Sequence, residues 1–418
     1  MINRTILDNG TPVLCEQINH VRSVSVGLWI RGGSRQENHR SNGMTHFVEH
    51  MLFKGTRTRS SFDIAAAIDS VGGIMNAFSA KEMSAFHVKI PDYHLPLAID
   101  LLADIFQNSL FKESEIVKEK AVILQEINML EDTPDDYIHD VFESCFWGKH
   151  PLGMPILGSK DRIRELDREE LLRFFNENYI AGNLVITAAG HMEPLSFDEM
   201  IRKSFGTVSG GIPQQPACAP DVSSNIAVHE KDLEQVHFIV GTLGPSAISS
   251  KRHAGFIMNT ILGGSMSSRL FQEIREERGL AYAVQSFIVP YRDTGILAIY
   301  AATAPTDVHE TLGLIFDAID KIVHVRVKRK ELQSAKELIK GNFLLAMEST
   351  DSCMSRLARN EICYGRDVPI DEVLSAIDAV SVEEIRDLAG EIFNPSTITV
   401  TAMGRTSEKD LARNILTG

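Results

Sequence analysis

The sequence predicts an α+β chain of two homologous domains, each a mainly antiparallel sheet covered by helices. Three observations carry this. At 418 residues the chain is longer than one hydrophobic core usually serves. It also repeats itself. Residues 168–190, REELLRFFNENYIAGNLVITAAG, align without gaps with residues 382–404, VEEIRDLAGEIFNPSTITVTAMG, at an offset of 214. Finally, strand-like and helix-like runs come in mixed order, without the strict alternation of parallel βαβ units.

The elements follow in order. Residues 23–30 and 84–90 read as strands. Met44, Phe47, Val48, Met51 and Leu52 recur at the i, i+3, i+4, i+7, i+8 spacing of an amphipathic helix, with Ser41 or Asn42 as its cap and Gly55 as its end. Asn76-Ala77-Phe78-Ser79, after Gly72-Gly73, opens an alternating run and reads as a further strand of the first sheet. Glu113 to Glu131 is a second strong helix, striped by Ile116, Ile123, Ile127 and Leu130. Each repeat pairs a helix and a turn with a strand ending at Gly190 or Gly404, and the same offset pairs Val26-Gly27 with Val240-Gly241. Self-similarity at half the chain length indicates duplicated domains. Residues 206–222, rich in Gly and Pro and without period, form the expected linker between domains 1–205 and 223–418.

Composition bounds the function. Apolar content is 44% and mean hydropathy is near zero, as in an ordinary globular protein. No apolar stretch approaches the ~20 residues that span a bilayer. The start, Met1-Ile2-Asn3-Arg4-Thr5, lacks the apolar core of a signal peptide. The five cysteines, Cys15, Cys145, Cys218, Cys353 and Cys363, show no C-x-x-C spacing, and reduced thiols in a cytoplasm are the simplest reading. A net charge of −14 disfavours nucleic acid and anionic membranes as partners. It is compatible with an acidic chamber that attracts basic peptides, but solubility alone is the simpler reading.

His46-Phe47-Val48-Glu49-His50 carries the chemistry. Histidines four apart share one helix face, so both imidazoles can grip one metal. Glu49 projects from the same side as a candidate base for a water that the metal acidifies. The pattern is H-x-x-E-H, an inverted zinc-peptidase motif. Downstream, Glu119 and Glu126 lie two turns apart at the margin of their helix's apolar stripe. Semi-buried carboxylates are costly unless a cation or hydrogen bonds compensate. Taken alone, such carboxylates are more commonly a solvated helix edge with surface ion pairs.

With Glu126 76 positions after His50, the chain resembles the pitrilysin and mitochondrial processing peptidase family. Gly72–Ser79, His150–Gly158 and Leu270–Tyr282 are similar to family stretches, so the resemblance covers nearly the whole chain. It implies one Zn2+ per chain held by His46, His50 and Glu126, with Glu49 as general base and Glu119 supporting the site. It also implies a two-domain clamshell, half of a closed chamber that a homodimer completes. Arg275 and Tyr282 match a family pair that reaches the substrate backbone and the oxyanion from the second domain. By themselves they read as a solvated charged helix and a packed ring. Asn76, Ala77 and Phe78 match an edge strand that receives the substrate as an added strand; an interior strand is the alternative. Gly263-Gly264-Ser265 lacks phosphate-loop spacing.

At offset 214, His46, Glu49, His50 and Glu126 fall on Thr260, Gly263, Gly264 and Lys340, so the second half reads as a degenerate copy. His20, His87, His139 and His237 read as surface or structural residues. The expectation is a zinc endopeptidase acting on peptides, presequence-like or unfolded segments. A catalytically inactive scaffold subunit of the same family and a zinc hydrolase of non-peptide amides are the rivals.

Overall fold

A computed structural model of the chain describes residues 2–213 and 217–415; residues 214–216 of the expected linker lie outside it. The chain forms two compact units. The first comprises Met1–Asn128, Met154–Ala217 and Leu344–Asp367. The second comprises Met129–Gly153, Cys218–Phe343 and Val368–Gly418.

The first unit is built on six strands: β1 (Ile2–Ile6), β2 (Pro12–Gln17), β3 (Ser23–Arg31), β4 (Ile74–Ser79), β5 (Met83–Pro91) and β6 (Leu184–Gly190). Their order in the sheet is β1-β2-β6-β3-β5-β4. The second unit has β7 (Asn225–His229), β8 (Val236–Leu243), β9 (Ala281–Pro290), β10 (Gly295–Thr303) and β11 (Thr399–Met403), in the order β7-β11-β8-β10-β9. Apart from β1, the two sheets have the same wiring. In each, one pair is parallel (β2 with β6, β7 with β11) and the others are antiparallel. The repeated segments supply matching pieces, namely the helices Arg168–Asn178 and Val382–Ile392 followed by β6 and β11.

In the first unit, helices α1 (Met44–Leu52), α2 (Ser61–Asp69), α3 (Leu95–Asn108) and α4 (Glu113–Glu131) follow the apolar periodicity. The stripe of α1 is at most 5% exposed, and it joins Val24, Val26, Leu28 and Ile30 of β3 in one core. Alternate residues of a strand face opposite ways, so Trp29 belongs to the other face. There it packs with Leu14, Val185 and the helix Thr350–Tyr364 through Met354 and Leu357. Covering both faces accounts for β6 being buried at every position.

That second cover comes from far along the chain. Arg4 pairs with Glu361 through two hydrogen bonds of 2.9 Å, and Ser25 Oγ bonds Asp351 at 2.6 Å. The second unit repeats the device with α5 (Pro134–Trp147), whose Ile138, Phe142 and Phe146 cover Ile239, Ile296 and Ala298. The packing units therefore cross the linear boundary at 206–222. Periodicity tells that a helix has an apolar face; it does not tell which sheet that face will cover.

Both sheets make room for these helices with the glycines matched at offset 214. A Cβ on Gly27 would stand 3.0 Å from Met354 Sδ, and one on Gly241 would stand 2.3 Å from Phe142 Cζ. No helix among the described residues is long and apolar enough to cross a membrane.

Candidate functional site

Helix α1 places His46 and His50 one turn apart, with ring centroids 4.6 Å apart. Helix α4 brings up Glu126. Its Oε2 lies 3.7 Å from His46 Nε2 and 3.6 Å from His50 Nε2. The three residues each offer one ligand atom, all within 4.8 Å of one another, and no other such group occurs among the described residues.

The set suits a small, borderline-soft cation. Bonds of ~2.0–2.2 Å at tetrahedral angles put donors roughly 3.3–3.6 Å apart, close to the spacing found. Glu126 Oε2 is buried without a hydrogen-bond partner, an orphan that a cation would satisfy. Burial, and secondarily the charge on His50, push His46 down to about 4, so its ring is neutral near neutral pH with a lone pair to give.

Glu119, 3% exposed, backs the group from two turns earlier in α4. Its Oε2 is 2.9 Å from His50 Nδ1, which leaves Nε2 of that ring facing Glu126. Its other oxygen, Oε1, pairs with Lys54 Nζ at 2.6 Å. The balance between hidden and solvated carboxylate is thus resolved differently for the two glutamates: Glu119 is buried and doubly paired, Glu126 is half-buried.

Glu49 shares the face of α1. Burial raises its carboxyl, and a 2.6 Å hydrogen bond donated by Ser79 Oγ opposes that rise. Ser79 ends β4, which is the edge of its sheet, and Asn76, Ala77 and Phe78 lie on it. Phe78 is 40% exposed and meets Trp29 edge-on at 6.0 Å.

Arg275 and Tyr282 lie together in the second unit. The guanidinium sits 4.6 Å over the Tyr282 ring and 4.8 Å over that of Phe271. Arg275 belongs to a π-helical turn, Phe271–Glu277, where an ordinary charged helix was expected. With Asp135, Asp136, His139 and Gly264 the pair lines a cleft of about 560 Å3. His139 and His237 both lie against Tyr300, so neither is a solvated surface histidine.

Three residues of the first unit escaped the sequence: Ser79, Lys54 and Glu37. Neither Ser41 nor Asn42 caps α1. The N-cap is Gly43, at φ 87 and without a side chain to offer. Glu37, 2% exposed, supplies the missing acceptors instead. Its Oε1 accepts from the Thr45 amide at 2.6 Å and its Oε2 from the Gly43 amide at 2.9 Å. Burial pushes Glu37 up to about 7, while these donors hold it down. A cap seven residues before the first helical residue, in an aperiodic loop, leaves no pattern to read.

Comparisons with known proteins bear on the family and the fold. Residues 12–160 match the insulinase family, peptidase family M16, and residues 165–339 match the peptidase M16 inactive domain. An uncharacterised zinc protease of Bacillus subtilis, YmxG, is 37% identical over 94% of this chain and 96% of its own length. An uncharacterised zinc protease of Streptomyces coelicolor is 35% identical over 99% and 91%. A protease from Helicobacter pylori has the same fold, with a TM-score of 0.90 at 19% identity over 97% of this chain and 99% of that one. So does a chain of complex III2 from Candida albicans, with a TM-score of 0.86 at 18% identity over 99% of both.

Proposed function

Since the chain belongs to peptidase family M16, we propose that it is a zinc-dependent endopeptidase acting on peptides or unfolded segments. The observation that carries the reading is the convergence of two imidazoles and a partnerless carboxylate oxygen beside a half-buried glutamate. His46, His50 and Glu126 would hold the ion. Zinc bound there supplies Lewis acidity and brings the pKa of water toward neutrality.

The rest is the work of the side chains. Glu49 takes a proton from the attacking water on a carboxylate oxygen and returns it to the leaving amine. Its raised pKa favours that return, and Ser79 keeps the carboxylate aimed. Glu119 fixes the His50 tautomer by accepting from Nδ1. Edge strand β4 offers backbone groups to an extended peptide, which binds it with little dependence on sequence. Arg275 and Tyr282 are donors suited to the substrate backbone and to charge developing on its carbonyl.

A non-catalytic subunit is the second reading, favoured by the match of residues 165–339 to the peptidase M16 inactive domain. Zinc analysis and digestion of an unbiased peptide library, read by mass spectrometry, separate the two. Stoichiometric zinc with peptide cleavage supports the peptidase; zinc-free, inert protein supports the subunit.

A further inference from the structure

We propose that Glu37 is a positioning residue for the ligand-bearing helix, setting where His46 and His50 stand through the backbone of its first turn. The inference rests on the zinc-peptidase reading and deepens it.

Helix α1 starts at Met44, so His46 lies in the turn whose free amides Glu37 receives. The carboxylate spans two of those amides, one per oxygen, and Oε2 also lies 3.4 Å from Asn42 Nδ2. Asn42 in turn donates to Pro155 O at 2.9 Å. A surface Ser, Thr or Asp at the N-cap is the ordinary solution. A carboxylate hidden from water costs desolvation, and the cost is met here where the geometry of two ligands depends on the helix end.

The loop that carries Glu37 is itself pinned. Ser34 N donates to Ala80 O at 3.0 Å and Arg35 N to Lys81 O at 2.7 Å. Arg35, 1% exposed, pairs with Glu82 Oε1 at 2.5 Å. Gly33 has φ 54, and a Cβ there would stand 2.2 Å from Ala80 O, so the loop lies directly on the β4–β5 turn. That turn follows Ser79, the residue bonded to Glu49. One short loop therefore references the helix of His46, Glu49 and His50 to the strand that holds the base. Glu37 is its contact with the helix.

The test compares Glu37→Gln and Glu37→Asp with the wild-type full chain at about pH 8, where the carboxyl is ionised. Gln keeps the shape but turns an N–H toward one of the two amides. Asp keeps the charge but falls short of spanning both. Fold is followed by circular dichroism and melting temperature, and metal affinity by competition with a chelator. Ligand geometry is followed by the visible spectrum of the cobalt-substituted protein. The expected result is a folded protein with zinc affinity and kcat each about 10–100-fold lower, as for other residues that orient ligands. KM should stay within about twofold, and the cobalt spectrum should be altered. Asp should fall between Gln and wild type. Folded variants with wild-type affinity and cobalt spectrum would overturn the proposal, and so would loss of fold in both variants, which would make Glu37 purely structural. Wild-type protein that binds neither metal would bring down the peptidase reading as well, a distinct outcome.

Discussion

Ser79 Oγ donates a 2.6 Å hydrogen bond to Glu49 Oε2, linking the last residue of an edge strand to the proposed base. A hydrogen bond to a charged group contributes ~1.5–3 kcal/mol, and each 1.36 kcal/mol is about tenfold in rate. Ser79→Ala should therefore lower kcat by about 10–100-fold with zinc content unchanged. Steady-state kinetics with metal analysis checks this. A fall in zinc content in step with kcat would place Ser79 with the ligands instead.

Lys54, Glu119 and His50 form a chain of contacts of 2.6 and 2.9 Å. Glu119→Gln should weaken zinc binding by ~10–100-fold. Lys54→Met should weaken it less, because it acts only by holding Glu119. Combined, the two changes should cost less than their sum, as partners in one network do. Chelator competition on the two single variants and the double variant measures this. Full additivity would disconnect Lys54 from the site.

Gly241 and Gly313 make opposite predictions. A Cβ on Gly241 meets Phe142 at 2.3 Å, so Gly241→Ala should cost ~1–3 kcal/mol by overpacking. Gly313, inside the helix Val308–His324, has nothing within 4 Å, and Gly313→Ala should stabilise by ~0.5–1 kcal/mol. Urea midpoints of both variants decide. A neutral Gly241→Ala would mean that α5 does not press on β8.

His253 gives the pH dependence. Burial, helped by Arg252, lowers it from 6.5 to about 4. Between those values the unfolded chain binds the proton and the folded one does not, so stability rises with pH through the window and is lost as pH falls. From about pH 7 to about pH 5 stability therefore falls, by less than the full shift would give because the ring is only partly buried. His253→Gln should flatten that slope in urea unfolding; an unchanged slope would assign it to other groups.

The sequence carried the local structure well because periodicity is a local signal. Periodicity reads α4 with both ends and Asn76–Ser79 as a strand, and the repeat reads the offset that matches Gly27 to Gly241; the edge position of that strand and the meeting of Glu126 with His46 and His50 are implied only by the family resemblance. It failed where the determinant was tertiary. The helix Thr350–Tyr364 packs on the first sheet because Leu14, Trp29 and Val185 form an apolar face that needs a cover. The α1 cap is remote because Gly43 has no side chain to cap with. In the π-helical turn Arg275 lies over the rings of Phe271 and Tyr282, contacts that a charge run does not announce.

The central claim is that His46, His50 and Glu126 hold zinc while Glu49 moves the proton. Glu49→Gln tests it most directly, because the amide keeps the shape and cannot accept the proton. The measurement is zinc content together with turnover of a peptide identified from the library digest. The account predicts full zinc occupancy and a loss of at least ~10²–10⁴-fold in kcat, the scale of general base catalysis. A zinc-loaded Glu49→Gln protein that cleaves the peptide at near the wild-type rate would contradict it.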